Sequence, residues 1–234
     1  MIARLQDAAE RERIKSELAD ATVQSWENQW AGAGGASGVL LVSVLNQELK
    51  TYEGMTLEAI GRQMNKDPRD AMMDLVVADR GNSGIVSSVM SEGDVRAALA
   101  SRLVSIGSDS GAKALDGPMS ESRSHPRAWG SFPRVLGKYV RDEGLLTLEE
   151  AVRKMTSQPA ARVHLHDRGI LRPGMAADIT VFDPVTIRDL STFEQPSQYS
   201  VGVKHVIVNG RPVVSDGLIT SERPGRALRG PGAR

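Results

Sequence analysis

Short apolar strands alternate with helices in the first half of the chain, and this order constrains the fold more than any other feature. Strand patterns cover Val39–Leu45 and Gly84–Met90, and a third starts at Arg102 and ends just before Asp109. The helix patterns between them begin at three positions, Thr56, Asp67 and Ser91. Strands separated by helices are typical of a parallel sheet with crossover helices, because parallel neighbours need long connections. We therefore predict an α/β fold for this part.

The pattern changes in the last third of the chain to short strands rich in β-branched residues. Ala177–Asp183 and Val203–Asn209 are two such runs. The dipeptides Asn209-Gly210 and Asp216-Gly217 are typical of tight hairpin turns, because both positions of such a turn need a positive φ. Strands joined by tight turns predict a small antiparallel sheet.

We place a domain boundary near Gly169, where the two patterns meet. This divides the chain into a first domain at 1–168, a small β segment at 169–222 and a flexible tail at 223–234. Within the first domain, residues 111–133 are polar and rich in glycine and serine, so we predict a long loop there. Long ordered loops in compact domains are usually functional.

Composition narrows the classes of function. Lys plus Arg equals Asp plus Glu at 29 each, and this balance gives no sign of a nucleic-acid-binding surface or a basic membrane patch. The chain has no cysteine, which excludes disulfides and thiolate metal sites. No apolar run approaches the ~20 residues needed to cross a bilayer, and the N-terminus lacks the apolar core of a signal peptide. We therefore expect a cytoplasmic protein.

Asp109 follows the third predicted strand, in the sequence Ser108-Asp109-Ser110-Gly111. In an α/β barrel the chemistry lies at the carboxyl ends of the strands, and a carboxylate placed there can hold a metal ion or move a proton. An aspartate after a strand also often fixes a turn through its side chain. The residues alone leave the catalytic and the structural role open.

His125 and Arg127 lie on the predicted long loop, on either side of Pro126. Arg127 could form a bidentate pair with a substrate carboxylate, and His125 could contact an acyl group or steady Arg127. Alternatively, Pro126 only stiffens the loop, whose polar residues then satisfy its own backbone. Both interpretations stay open.

Three further histidines are available as metal ligands, His164, His166 and His205. We expect the side chains of His164 and His166 to point in opposite directions and not to form a two-ligand pair. We interpret them as surface or interdomain residues and His205 as an edge-strand residue. Arg134 follows Pro133 at a helix start, where we expect its head group to meet a neighbouring carboxylate.

Several motifs resemble a known family. Gly169–Pro184 and His205–Gly217 resemble the strand and hairpin of the small β domain of the amidohydrolase superfamily. The central motifs are similar to the D-aminoacylase branch, the N-acyl-D-amino-acid deacylases. Those motifs are Ser108-Asp109, His125–Arg127, Trp129–Gly137, Lys154–Ala160, Thr192–Glu194 and Gln198-Tyr199.

This resemblance implies a fold and a reaction. The fold would be the C-terminal part of a (β/α)8 barrel of the TIM type plus a small antiparallel β domain. The reaction would be hydrolysis of the amide of an N-acyl-D-amino acid by a zinc-activated water. Asp109 matches the family's proton-transferring aspartate and is also a candidate for a weak or second-site metal ligand. His125 and Arg127 are the candidate substrate-binding residues.

The chain departs from the family pattern in one respect. No histidine precedes His125, so the family's early metal-binding histidines have no match here. The chain looks like the C-terminal portion of a longer enzyme, with the main zinc ligands elsewhere. We therefore expect it to need the N-terminal half of the barrel, in the same or another chain, and to be inactive alone.

Two other functions stay open at this stage. One is a non-catalytic subunit or interaction module derived from an amidohydrolase, in which Asp109 is structural. The other is a related amidohydrolase, such as a dihydropyrimidinase-like enzyme. The His125-Pro126-Arg127 sequence argues against the second alternative. Neither alternative predicts a nucleic-acid or membrane partner.

Overall fold

The structure, a computed structural model, describes residues 1–23, 25–120 and 124–229. Two compact units can be distinguished. The first comprises Met1–Glu92 and Pro118–His125, and the second comprises Gly93–Gly117 and Pro126–Arg234. The predicted boundary near Gly169 falls within the second unit and stays a prediction. The last five residues of the predicted tail, 230–234, lie outside the described residues.

Two helices of the first unit begin where a side chain caps a free backbone amide. Thr56 accepts a hydrogen bond from the amide of Ala59 at 3.2 Å, and Asp67 accepts one from the amide of Arg69 at 2.8 Å. Pro68 occupies the first helical position after Asp67, where its missing N–H costs nothing. The helices are α1 (Ile2–Leu5), α2 (Ala8–Ala19), α3 (Gln29–Gly32), α4 (Leu57–Met64) and α5 (Pro68–Ala78).

The two strands of the first unit pair in antiparallel fashion. Strand β1 (Val39–Ser43) lies beside β2 (Gly84–Ser87), with Leu41 opposite Ile85. The parallel arrangement predicted for them is wrong. Two packed helices, α4 and α5, separate the strands. Strand β2 begins beside the end of β1, where Gly84 lies opposite Ser43, and runs in the opposite direction.

The core of the first unit lies between β1 and the α4–α5 pair. Alternate residues of β1 point inward, as the two-residue period of a strand requires. A 3-10 turn at Ala36–Gly38 precedes β1, and another at Gln47–Tyr52 follows it. The buried residues of this core are Ala33, Val39, Leu41, Val44, Leu49, Leu57, Ile60, Ala71 and Leu75.

The second unit combines helices with a four-stranded sheet. Its helices are α6 (Glu92–Ala100), α7 (Arg127–Arg134), α8 (Leu148–Met155) and α9 (Ser157–Arg162), and a π-helix continues α7 over Val135–Asp142. Thr147 caps α8 by accepting a hydrogen bond from the amide of Glu150 at 3.2 Å. The buried core residues are Leu99, Val135, Leu136, Tyr139, Leu146, Ala151 and Ile187.

The sheet of the second unit is antiparallel, which confirms the prediction from the hairpin turns. Its strands run in the order β3 (Ile179–Phe182), β4 (Val203–Val208), β5 (Arg211–Ser215) and β6 (Leu218–Ile219). The two predicted turn dipeptides join β4 to β5 and β5 to β6, and all four of their residues have a positive φ. None of the helices in the described part of the chain is long and apolar enough to cross a membrane.

Candidate active site

The stretch that leads to Asp109 is not a strand. Residues 101–110, all of which the structure describes, follow α6 as irregular backbone, so the strand predicted from Arg102 is wrong. A strand exists only when a neighbour shares its hydrogen bonds, and no described strand pairs with this stretch. Its backbone is bonded to α8 instead, where the amide of Ile106 donates to the carbonyl of Lys154 at 3.1 Å.

A buried lysine fixes the start of this stretch. The side chain of Lys154, on α8, is fully buried, and its ammonium donates to the carbonyls of Leu99, at 2.6 Å, and Ser101. Burial lowers the pKa of Lys154, and the nearby carboxylate of Glu150 acts in the opposite sense. The sequence analysis did not identify Lys154 as a buried residue. Its position three residues after Ala151 places the two on the same helix face, and both are buried.

Three further side chains donate hydrogen bonds to the backbone carbonyls that follow Ser101. Arg153 and Gln158 both donate to the carbonyl of Arg102, at 3.3 and 3.2 Å, and Arg162 donates to the carbonyl of Leu103. These side chains donate the hydrogen bonds that a neighbouring strand would otherwise donate to the carbonyls of the stretch. They fix the path of the backbone that presents Asp109.

Asp109 and Arg127 form an ion pair. The guanidinium Nη2 of Arg127 lies 3.1 Å from the carboxylate Oδ2 of Asp109, and the Asp109 side chain is 89% exposed. Asp109 has a left-handed backbone with φ of +47°, a conformation that aspartate tolerates better than most residues. The carboxylate is therefore open to an incoming molecule and lies beside a cation. Sequence reasoning named both residues but did not predict their direct contact.

Arg127 is the first residue of α7, so the predicted loop at 111–133 is shorter than expected and gives way to a helix. Residues 121–123 of that loop lie outside the described residues. Helix α7 is fixed by the segment before β4. The ring of Trp129 meets Tyr199 edge-on with centroids 5.4 Å apart, and the hydroxyl of Ser200 donates to the carbonyl of Trp129 at 3.0 Å.

A close approach at Gly130 and an ion pair at Arg134 complete this attachment of α7. A Cβ atom on Gly130 would lie 2.6 Å from the Cβ of Asp189, so only glycine fits. Arg134 is the last residue of α7 and not a helix start, but it pairs with the same aspartate at 2.9 Å, which confirms the predicted contact with a carboxylate. Burial acts to lower the pKa of Arg134, but Asp189 and Tyr139 together outweigh burial and raise it.

His125 belongs to the first compact unit, whereas Asp109 and Arg127 belong to the second. Its imidazole is partly buried. The predicted contact of His125 with an acyl group stays a prediction.

The structure corrects two expectations about the remaining histidines. His164 and His166 do not point apart, because their ring centroids lie 6.1 Å from each other. The backbone of His164 is left-handed rather than extended, with φ of +58°, and residues two apart share a face even on an extended segment. His205 lies in β4, which has a neighbour on each side and is not an edge strand.

The described residues do not assemble a zinc site. Zinc in proteins usually takes three or four His, Cys or acidic ligands, and no group of three such side chains occurs among the residues at 1–23, 25–120 and 124–229. Asp109 could supply one oxygen to a metal held mainly by other residues. The prediction that it does so stays a prediction.

Comparisons with known proteins identify the class of this chain. Residues 63–214 match the amidohydrolase family, so the chain belongs to that family. Within it, the chain is 42% identical over 175 residues to the D-aminoacylase of Alcaligenes xylosoxydans xylosoxydans, a match that covers 75% of this chain and 34% of that enzyme. It is also 44% identical over 147 residues to the N-acyl-D-glutamate deacylase of the same organism, covering 63% and 28%. The predicted relationship to the deacylase branch is confirmed.

Solved structures give the same answer. The N-acyl-D-glutamate deacylase from Bordetella bronchiseptica, solved with zinc and a phosphonate inhibitor, matches with a TM-score of 0.70 and 34% identity over 85% of this chain and 39% of that one. A D-aminoacylase with a binuclear metal centre matches with a TM-score of 0.68 and 38% identity, covering 79% and 36%. The chain thus spans about a third of the length of the relatives it matches.

Proposed function

We propose that this chain is the C-terminal portion of an N-acyl-D-amino-acid deacylase. In this proposal residues 1–168 belong to the last part of a (β/α)8 barrel, and residues 169–222 to a small β domain. The order of the motifs, the 42% identity to a D-aminoacylase and the shared fold support it. The observation that carries it is the exposed carboxylate of Asp109, 3.1 Å from the guanidinium of Arg127.

Asp109 is proposed to move the proton during hydrolysis. The amide carbon gains a bond to the oxygen of a water molecule and loses its bond to nitrogen. The proton released by the water passes to Asp109 and then to the departing nitrogen, so the carboxylate is regenerated after each turnover. The open position of this carboxylate suits such a role, because a buried structural aspartate could not reach a substrate.

Arg127 is proposed to bind the carboxylate of the substrate. Its guanidinium is half exposed and already bonds one carboxylate, that of Asp109. A planar guanidinium with several donors can bind a second carboxylate in a bidentate pair. The substrate would therefore be oriented with its amide close to Asp109. For His125 we propose, on the sequence alone, a contact with the acyl group of the substrate.

Zinc is the metal proposed for the complete enzyme, as in the relative solved with zinc. The side chains that hold it are proposed to come from the N-terminal half of the barrel, in the same or another chain, because the described residues do not assemble such a site. This chain is then inactive alone, and its own contribution to the reaction is Asp109 and Arg127.

Mixing experiments test this function. The 234-residue chain would be combined with a polypeptide carrying the N-terminal two-thirds of a D-aminoacylase relative, in the presence of zinc. Release of the free D-amino acid from N-acetyl-D-amino acids would be measured. We expect no turnover by either part and turnover by the mixture.

Variants assign the roles within that mixture. Asp109→Asn should abolish turnover, and Arg127→Met should mainly raise KM. Asp116→Asn, which changes an exposed aspartate on the same segment, is the matched control and should remain active. Activity that survives Asp109→Asn would overturn the catalytic assignment. A mixture that associates but never turns over any N-acyl-D-amino acid would favour a non-catalytic module.

A further inference from the structure

His164 and His166 lie side by side on the surface of the second unit. Both side chains are exposed, and their ring centroids are 6.1 Å apart with an angle of 52° between the planes. Neither ring belongs to the Asp109–Arg127 pair, and the proposed deacylase reaction does not use them. We propose that these two imidazoles form an accessory binding site for a late first-row divalent cation.

The separation of the two imidazole rings is compatible with both rings binding one metal ion. A metal bonds an imidazole nitrogen at about 2.0–2.1 Å, and the ring centre lies roughly 1.1 Å beyond that nitrogen. Two imidazoles on one ion therefore have centroids about 5.2 Å apart at a tetrahedral angle and about 6.4 Å apart when opposite. The observed 6.1 Å lies within this range, and both exposed side chains can rotate to direct one nitrogen each to the same ion.

Backbone hydrogen bonds fix the segment that carries the two rings. The amide of His164 donates to the carbonyl of Ala161 at 3.2 Å, and the amide of Leu165 donates to the carbonyl of Ala160 at 2.9 Å, which closes the end of α9. Beyond the pair, the carbonyl of Asp167 accepts from the amide of Ala176 at 2.7 Å. Little chain entropy remains to be lost on binding.

The conformation of His164 is itself unusual. It occupies the left-handed position just after a helix, which glycine or asparagine normally fills, with φ of +58°. In this conformation the two ring centroids lie 6.1 Å apart, whereas in a continued helix residues two apart would not face each other. A positive φ costs free energy at a histidine. Because this conformation occurs at a residue whose ring lies beside a second imidazole, it supports a binding role.

The donor set selects the class of ion. Two neutral imidazoles suit copper, nickel and zinc rather than calcium or magnesium, which prefer oxygen. Among these, Cu²⁺ binds most tightly to a given nitrogen site. The nearest carboxylate in sequence, that of Asp167, bonds Arg168, so water is expected to fill the remaining coordination positions.

Titration of the 234-residue chain with CuCl2 at pH 7.5 tests the site. We expect one equivalent to bind, with weaker binding of NiCl2 and ZnCl2. His164→Gln and His166→Gln should each weaken Cu²⁺ binding at least about tenfold. His205→Gln and His125→Gln are the matched controls and should leave this binding unchanged.

Electron paramagnetic resonance of the copper-loaded chain gives a readout independent of affinity. We expect hyperfine coupling to two imidazole nitrogens in the wild type and to one in each of the two variants at positions 164 and 166. Circular dichroism checks that these variants keep the native helix content. Absence of copper binding, equal binding by His164→Gln and wild type, or coupling to a single nitrogen in the wild type would each overturn the proposal.

Discussion

The ammonium of Lys154 lies 2.6 Å from the carbonyl oxygen of Leu99, within the core of the second unit. A lysine is almost never fully buried unless its charge is satisfied. Here the carbonyls of Leu99 and Ser101, at the end of α6, accept hydrogen bonds from the ammonium. Cations are favourable at the C-terminal end of a helix because of the helix dipole. The same lysine therefore ends α6 and starts the stretch that presents Asp109.

Lys154→Met should destabilise the chain by about 1–3 kcal/mol, because two carbonyls lose their donor while the packed volume stays similar. Urea unfolding followed by circular dichroism measures this change. Lys204→Met, which replaces an exposed lysine of β4, is the control and should change stability by less than about 0.5 kcal/mol. A Lys154→Met chain as stable as wild type would mean that the carbonyls do not depend on the ammonium.

Gly130→Ala should also destabilise the chain, by about 1–3 kcal/mol, because the new Cβ would lie 2.6 Å from the Cβ of Asp189. The sign is informative, since helix propensity alone would favour alanine in α7 by about 1 kcal/mol. Gly107→Ala is the matched control, because a Cβ there meets no atom within 4 Å. Equal urea midpoints for the two variants would contradict the close contact.

Local signals along the chain predicted the hairpin turns of the second unit and two helix starts of the first. The turn dipeptides at 209–210 and 216–217 fixed the hairpins, because few residues accept a positive φ at two successive positions. Caps at Thr56 and Asp67 marked helix starts, because each side chain bonds an amide two or three residues away. Such features depend on near neighbours only, so a single sequence carries them.

Features that depend on distant partners were harder to predict. The pattern at Arg102–Ile106 suits a strand, but a strand also needs a neighbour, and none is found in the described part of the chain. The direction of β2 depended on how α4 and α5 pack, which the spacing of apolar residues does not specify. Asp109 and Arg127 were both named as site residues, yet their contact depends on where α7 is attached, by Tyr199, Ser200 and Asp189.

Asp67→Asn should remove a contribution to the free energy of unfolding that is present at neutral pH and is lost in acid. The hydrogen bond from the Arg69 side chain lowers the pKa of Asp67 to about 2, although burial acts in the opposite sense. The unfolded value is about 3.9, so the ionised carboxylate stabilises the fold above that pH and ceases to do so as the pH falls towards 2. Asparagine keeps the helix cap but not the charge.

The measurement is the urea midpoint of wild type and Asp67→Asn between pH 2 and 7. We expect wild type to be more stable by less than about 1 kcal/mol at pH 7, since this pair is partly exposed, and the difference to vanish near pH 2. Glu27→Gln, at an exposed glutamate, controls for the loss of one negative charge. A difference that stays constant down to pH 2 would disprove the role of this carboxylate.

Ion pairs attach helix α2 to α5. None of the described residues of α2 is buried. Arg11 pairs with Asp70 at 3.0 Å and with Asp74 at 2.8 Å, and Lys15 pairs with Asp70 at 3.0 Å. Burial acts to lower the pKa of Arg11, but the two aspartates outweigh it and raise it. Attachment by ion pairs makes α2 sensitive to salt, unlike a helix with an apolar face.

Salt should therefore loosen α2 selectively. At 1 M NaCl the Debye length falls to about 3 Å, and we expect amide hydrogen exchange in α2 to accelerate about fivefold relative to 0.1 M, equivalent to about 1 kcal/mol. Arg11→Met should exchange rapidly in α2 at both salt concentrations. Helix α4, which buries Leu57 and Ile60, is the internal control and should keep its protection. Mass-spectrometric exchange resolves the two helices, and equal protection of α2 at both salt concentrations would show that its attachment does not rest on these ion pairs.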